Sequence, residues 1–468
     1  MMGMPALNDS ATSIASPFAT AWALAREQFS RPVVSHRAAI LCSVLAVTIG
    51  FTNPLAMSLT EILLGVMAGC WLLAGGFRDR IRTIIHNPVA LAALAMLSVL
   101  SLSVLYGEAP VTESLRVLAK YRNLLYLVLF ITIFRTARLR EAGLWAFGAA
   151  MVLTLAGSIM TAIGMPLLEN RYTVNPEDAT VFRNHIIHGL CMGLFAYLMA
   201  HRFMEHPRWR WFTGPLTLLA MYNVLFMLGG RTGYVTLATM VPLFCLQRLR
   251  FRSLACVLAT FGGIAMAGYF YSDTFSERVG LAIEEFDAYF DYRSGDGPWH
   301  PEGWDRPVTR TSCGIRLDWY RAGLGLFARN PWLGVGVGSV KHSLESAADE
   351  TGITPTHNLH SEYVMAAAQN GLLGIVLLAT LFVAYWRASR RLSTPMRHLA
   401  EGMLLTMIVA GVPNTLITER TEGVLFAFCS GLVFGEFSER AIRQRENLPT
   451  SEGAAAEADR AEPLAPAA

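Results

Sequence analysis

The run Pro355-Thr356-His357-Asn358-Leu359-His360-Ser361-Glu362-Tyr363 sets an imidazole beside a carboxamide just ahead of an apolar stretch. An ordinary imidazole has a pKa of about 6.5, so His357 is suited to taking a proton from a hydroxyl at neutral pH. The plainer reading stands beside it: Asn358 or Ser361 caps the following helix and His357 is a surface residue. A second signal is a set of cations: Arg116, Lys120, Arg122, Arg171, Arg183, Arg231, Arg310 and Arg316. Nearly every other Lys or Arg flanking an apolar segment marks one side of a bilayer, and these fall on the other side, where the positive-inside rule makes cations unusual. Gathered at an outer membrane edge, they suggest a site for an anionic lipid head group, most simply a phosphate or pyrophosphate.

Each cation has a blander role as well. Arg231 lies in the turn Gly229-Gly230-Arg231-Thr232-Gly233 between two apolar segments, where an arginine faces a cavity or pairs with a carboxylate such as Glu362 or Glu419. Arg116 and Lys120 are one helical turn apart on one face, with Arg122 nearby, and could snorkel to lipid phosphate. His357 with His360, and His185 with His188, have metal-compatible spacing, but two histidines without a third ligand make no site, so no metal is assigned. Leu333-Gly334-Val335-Gly336-Val337-Gly338-Ser339 resembles a phosphate-cradling loop yet lacks the Gly-Lys-Ser/Thr ending, which argues against a nucleotide. Its glycines instead let the backbone turn and approach a neighbouring core closely.

The elements that must position these residues follow from composition. Of the 468 residues, 53% are apolar and only 16% charged, and apolar runs of roughly 20 residues recur, which predicts an all-α, polytopic helical membrane protein. The net charge of +3 comes from near-balanced totals and points to no nucleic acid. Candidate spans fall at 38–57, 59–77, 88–106, 117–134, 142–164, 184–200, 211–229, 232–247, 253–271, 363–386, 398–413 and 422–437, about twelve transmembrane helices. Arginine-rich gaps recur at every second connection (Arg78/Arg80/Arg82, Arg135/Arg138/Arg140, Arg202/Arg208/Arg210, Arg248/Arg250/Arg252, Arg387/Arg390/Arg391/Arg397), which makes those gaps and both termini cytoplasmic. Residues 1–37 are then a cytoplasmic leader, 38–271 hold spans one to nine, 363–437 hold the last three, and 438–468 form a disordered cytoplasmic tail.

Residues 272–362 face outward and are too long for a bare connection; helical patterning at 275–292 and 313–328 predicts a folded periplasmic lid. Its Trp299, Trp304, Trp319, Tyr320 and Trp332 could rest at the bilayer interface or stack on sugar rings. Six of the seven cysteines lie in apolar runs and Cys313 is alone in an aqueous segment, so no disulfide framework is expected.

These pieces, in this order, resemble the O-antigen ligase/polymerase superfamily, most closely its lipopolysaccharide O-antigen ligases. The carrying residues are Gly230-Arg231-Thr232-Gly233, Gly314-Ile315-Arg316-Leu317-Asp318-Trp319, Asn330-Pro331-Trp332-Leu333-Gly334-Val335-Gly336-Val337-Gly338, then His357-Asn358 followed by Gln369-Asn370-Gly371-Leu372-Leu373-Gly374. The likeness is specific over about 210–380. It departs in having Gly230 where serine is usual and His360 where an aromatic or aliphatic residue is usual. The resemblance implies an inner-membrane glycosyltransferase that moves a glycan from undecaprenyl diphosphate to lipid A-core oligosaccharide at the periplasmic face, inverting, without metal, nucleotide sugar or other cofactor. It implies His357 and Arg231 as catalytic, and Arg183, Arg316 and Arg122 as substrate-binding; Arg116 and Lys120, from the outward cation set, and Asn358 and His360, from the run beside His357, complete the expected substrate-binding residues. An O-antigen polymerase or a protein O-oligosaccharyltransferase shares the scaffold, and a lipid-linked glycan transporter or flippase is the alternative from another class. Only one large outward loop favours the ligase over the polymerase, and the absence of internal span repeats disfavours the transporter.

Overall fold

The computed structural model describes residues 36–165, 179–248, 273–346 and 353–446, with scattered positions between 249 and 272. Among the described residues the secondary structure is helical and no strand occurs. In chain order the helices are α1 (His36–Thr52), α2 (Met57–Leu73), α3 (Phe77–Ile85), α4 (Pro88–Leu102), α5 (Val111–Leu118), α6 (Asn123–Ile133), α7 (Ala137–Ala162) and α8 (His185–Glu205). They continue as α9 (Arg210–Tyr222), α10 (Arg231–Arg248), α11 (Asp273–Ser294), α12 (Gly314–Arg329), α13 (Ser339–Glu345), α14 (Glu362–Ser389), α15 (Thr394–Ala410) and α16 (Arg420–Glu446).

α7, α8 and α14 are each long and apolar enough to cross a membrane, and α2 with α3, bent by 112°, would supply a fourth crossing as one broken span. With this apolar helical framework the chain is a multi-pass membrane protein. The segment predicted at 253–271 and the leader lie largely outside the described residues, as does the tail from 447, whereas 438–446, expected to belong to a disordered tail, continue the helix α16 to Glu446. Several other predicted spans are interrupted, and each interruption has a cause. Span 117–134 is broken by a 3-10 turn at Ala119–Arg122, which puts Arg116 on α5 and Lys120 in the turn, so the two do not share one continuous helical face as expected. Span 211–229 has Pro215 inside α9 and a π-helical turn at Asn223–Met227, where the Asn223 carboxamide donates to Ser158 Oγ at 2.6 Å.

α14 is kinked at Asn370 and Gly371, the latter at φ 60° and ψ −147°, a conformation open to glycine alone. The kink frees backbone groups that the glycine loop satisfies. Val335 and Gly336 donate to the carbonyls of Ala368 and Gln369 at 3.0 and 2.9 Å, and Leu372 and Leu373 donate to the carbonyls of Pro331 and Trp332 at 2.7 and 3.3 Å. The approach is so close that a Cβ at Gly334 would lie 2.4 Å from the Gln369 carbonyl carbon, and one at Gly371 2.5 Å from that of Trp332. Non-helical backbone at such a position is tolerated where protein covers it. The two glycine-bearing motifs are therefore halves of one joint.

Elsewhere, small residues draw the helices together, as expected where no hydrophobic difference separates protein from lipid. Gly431 and Gly435 of α16 abut Phe130 of α6 and Phe134 just past its end, and Phe428 packs edge-on to both rings at 5.7 and 5.4 Å. At the end of that seam Asn123 Nδ2 donates to the carbonyls of Ile417 and Glu419. The 272–362 segment carries the predicted helices as α11 and α12. They are tied by Tyr289 Oη donating to Asp318 Oδ1 at 2.7 Å, and a second small core of Leu326, Val335, Val340, Leu344 and Leu359 seats the lid on Met365 and Ala368 of α14.

Candidate functional site

The Arg231 turn is pressed against the start of α8. A Cβ at Gly230 would lie 2.8 Å from the His185 carbonyl oxygen, and one at Gly189 2.8 Å from Gly233 Cα. A glycine in place of the more usual serine at 230 thus has a local steric cause. Arg231 Nη1 donates to Glu285 Oε2 at 3.3 Å and to Cys313 Sγ at 3.0 Å, and the same Glu285 oxygen accepts from the Cys313 backbone N–H at 3.0 Å. The carboxylate partner is therefore Glu285 of the lid, which corrects the expectation of Glu362 or Glu419. Glu362 accepts from the Ile417 N–H, and Glu419 accepts from Asn358. The apolar periodicity of 275–292 gives no sign that Glu285 turns inward, so sequence reasoning had no means of pairing it.

Beside Arg231 opens a cavity of about 620 Å³ whose lining includes Arg231, Arg316, His185, Glu285, Trp304 and Arg306. Arg231 keeps 30% of its side chain exposed, enough to present a guanidinium edge to a ligand. Burial pushes the Cys313 thiol up to about 11, Glu285 adding to the rise and Arg231 opposing it, so the group beside Arg231 is a neutral thiol near pH 7.

His357 and Asn358 do not line that cavity. They belong to a polar band that continues from Arg316 along the lid. His360 stacks on Trp319 with ring centroids 5.1 Å apart, its backbone N–H donates to Asn358 Oδ1 at 2.8 Å, and Tyr320 Oη donates to its carbonyl. Burial and then the Arg316 charge push His360 down to about 4, so it is a neutral ring held by stacking. Asn358 is fully engaged: Nδ2 donates to Glu419 Oε1 at 3.1 Å, and Oδ1 also accepts from Thr415 Oγ1 at 2.9 Å. It ties the lid to the 414–421 connection, and neither it nor Ser361 caps α14 through its side chain. His357 Nδ1 faces Glu113 Oε1 at 3.4 Å. Burial lowers the His357 pKa, Glu113 opposes this, and Lys341 and Lys120 reinforce it, which keeps the ring neutral and able to accept a proton at neutral pH.

The remaining cations separate. Arg316 joins Arg231 at the cavity, and Lys120 lies in the surroundings of His357 and Glu419. Arg183 is buried and donates from Nη2 to the Asn53 carbonyl at 2.8 Å. Arg122 is bonded to Glu61 at 2.7 Å, away from both groups. Arg116 and Arg310 are exposed, and Arg171 lies outside the described residues. Of the lid aromatics, Trp304 lines the cavity, Trp319 carries the His360 stack and Trp332 is 71% exposed.

Among the described residues, the one group with metal-compatible geometry is His201, Glu205 and His398, at the opposite end of α8 from this site. Arg248 donates to both His201 Nδ1 and Glu205, placing a guanidinium where a metal ion would compete.

Residues 216–379 match the family model described as O-antigen ligase, a family of glycosyltransferase-like enzymes. The matched stretch contains the Arg231 turn, the cavity-lining lid helices, the glycine loop, His357 and the kink of α14. The resemblance read from these same motifs therefore holds. A comparison with curated proteins gives no match.

Proposed function

We propose that the protein is an inverting, metal-independent glycosyltransferase that transfers O-antigen glycan from undecaprenyl diphosphate to lipid A-core oligosaccharide at the periplasmic face of the bacterial inner membrane. The observation that carries this reading is the cavity in which Arg231 and Arg316, both on the side expected to be outward, meet under an aromatic-bearing lid. A diphosphate is already an activated leaving group, so fixed guanidinium groups supply the main electrostatic stabilisation it needs on departure. The acceptor hydroxyl approaches from the His357 side of the band. His357 takes the hydroxyl proton as the acceptor oxygen bonds to the anomeric carbon, the bond from that carbon to the phosphate oxygen breaks, and undecaprenyl diphosphate leaves as an anion. One direct displacement inverts the anomeric centre. About twelve spans with both termini cytoplasmic and 272–362 periplasmic complete the reading, and reporter fusions at Arg250 and Gly338 are expected on opposite sides.

The deciding experiment offers purified protein an undecaprenyl-diphosphate glycan with three competing acceptors: lipid A-core, a second lipid-linked glycan, and a peptide. Transfer to lipid A-core, undiminished by a chelator, is expected. Product on the second lipid-linked glycan would make the protein a polymerase, and product on the peptide a protein glycosyltransferase. His357→Ala is expected to lower turnover roughly 10²- to 10⁴-fold, with donor binding little changed.

A further inference from the structure

Glu113 has no part in the mechanism above, yet the fold brings it to His357. It lies in the first turn of α5, and α5 is clamped by the lid: a Cβ at Gly338 would lie 2.6 Å from Ser114 Cα, and the Ala109 N–H donates to Ser339 Oγ at 3.1 Å. The glycine loop thus fixes the helix bearing Glu113 against the segment bearing His357. Glu113 Oε1 is 3.4 Å from His357 Nδ1, close enough for an ion pair although Nδ1 makes no hydrogen bond in this structure, and Nδ1 is shut off from solvent while the side chain as a whole is 39% exposed. The exposed surface therefore lies on the other atoms of the side chain, Nε2 among them.

We infer that Glu113 is the positioning residue of His357, holding the proton of the neutral ring on Nδ1 and leaving the Nε2 lone pair to face the acceptor hydroxyl. An unprotonated Nδ1 would set two acceptor atoms against each other in a buried contact, so the carboxylate selects the Nδ1–H tautomer. When Nε2 takes the hydroxyl proton, the imidazolium that forms is stabilised by the same carboxylate, and the proton then passes from Nε2 to solvent. The other charges around the ring are Lys120 in the 3-10 turn after α5, and Lys341 and Glu345 on α13, which pair with each other at 3.1 Å. Glu113 is the carboxylate in direct contact, and it acts against the two lysines. The inference rests on the reading of His357 as the base.

Two readouts on wild type, Glu113→Gln and Glu113→Asp test it. The first is the pH dependence of diethyl pyrocarbonate modification of His357, followed by mass spectrometry on the intact membrane protein, which needs no activity. Removing the negative charge is expected to move the midpoint of the glutamine variant to lower pH by roughly 0.5–1. The second is transfer to lipid A-core. The glutamine variant is expected to lose roughly 10- to 100-fold in kcat with KM little changed, its acidic limb moving to lower pH in step with the modification midpoint, and Glu113→Asp is expected to recover part of the loss. A merely structural residue would move neither pH profile. An unmoved modification midpoint overturns the contact, and a moved midpoint with unchanged kcat overturns the positioning role. Wild type that transfers glycan to none of the three acceptors overturns the functional reading and this role with it, while the modification midpoint still reports on the contact.

Discussion

Arg231 reaches out of the turn between α9 and α10 to Glu285, which lies on the first helix of the lid and is buried to within 5% of its surface. The turn and the lid are thereby one electrostatic unit, and the cavity lies where they meet. The pairing with Glu285 sits beside the anion-binding role proposed for Arg231, and the two are separable by substitution.

Arg231→Ala is expected to abolish transfer, and Arg231→Lys to restore little, because an ammonium keeps the charge but loses the bidentate fork. The reciprocal double variant Arg231→Glu with Glu285→Arg separates the roles. It is expected to recover membrane expression relative to either single change without recovering transfer. Full activity in the double variant would assign Arg231 to lid attachment alone.

Arg316→Ala is expected to weaken donor binding by at least about tenfold, the scale of one charge-assisted phosphate contact, while the His357 modification midpoint changes little. Binding of an undecaprenyl-diphosphate glycan to the variant in nanodiscs measures this directly. Unaltered binding would remove Arg316 from the donor site.

The predicted site was legible in part. Arg231, Arg316, His357 and Asn358 stood out because charged or hydrogen-bonding groups at an outer membrane edge are costly and need a reason. Their partners did not stand out: Glu285 and Glu113 are single carboxylates on amphipathic helices, and only packing decides which of many such groups turns inward. Arg122 carried the same signal as Arg231 but meets Glu61, because charge placement reveals the side of the membrane and not the neighbour across it. Helices were legible as apolar runs, whereas their breaks at Ala119–Arg122 and Asn370–Gly371 depend on contacts distant in sequence.

His360→Phe is expected to retain transfer within a few-fold, because the imidazole serves as a flat neutral ring on Trp319. With its pKa near 4, it stays uncharged from about pH 5 upward and adds no limb to the pH profile there. His360→Ala, which removes the stack, is expected to lose more. Equal loss in both variants would point to a hydrogen-bonding task for the imidazole.

Cys313 is expected to resist maleimide near pH 7 and to label faster as pH rises toward 11, since only the thiolate reacts and its formation is held back by burial. Rapid labelling near neutrality, followed by mass spectrometry, would contradict the Arg231–Cys313–Glu285 arrangement.

Gly371→Ala is expected to lower the melting temperature of the detergent-solubilised protein and to impair transfer, the backbone strain alone costing about 1–3 kcal/mol before the clash with Trp332. Gly325→Ala is the control: no atom lies within 4 Å of the added Cβ, and alanine is favoured inside a helix. Matching behaviour of the two variants would deny the joint its structural role.

The kink of α14 also bears on how the proposed lipid-linked donor would reach the cavity. Lifting the 331–338 loop off the helix would break four backbone hydrogen bonds at once and leave their donors and acceptors unpaired, a penalty of several kcal/mol. That edge of the lid behaves as a weld. On the α11 side Arg231 reaches from the turn to Glu285, and in the proposed reaction an incoming diphosphate would compete with that carboxylate for the guanidinium. A door fixed along one side and latched by the group proposed to recognise the visitor would open in one direction. The polyprenyl diphosphate would then enter beneath α11, releasing the latch as it binds, while the welded side keeps His357 in register for the acceptor arriving later.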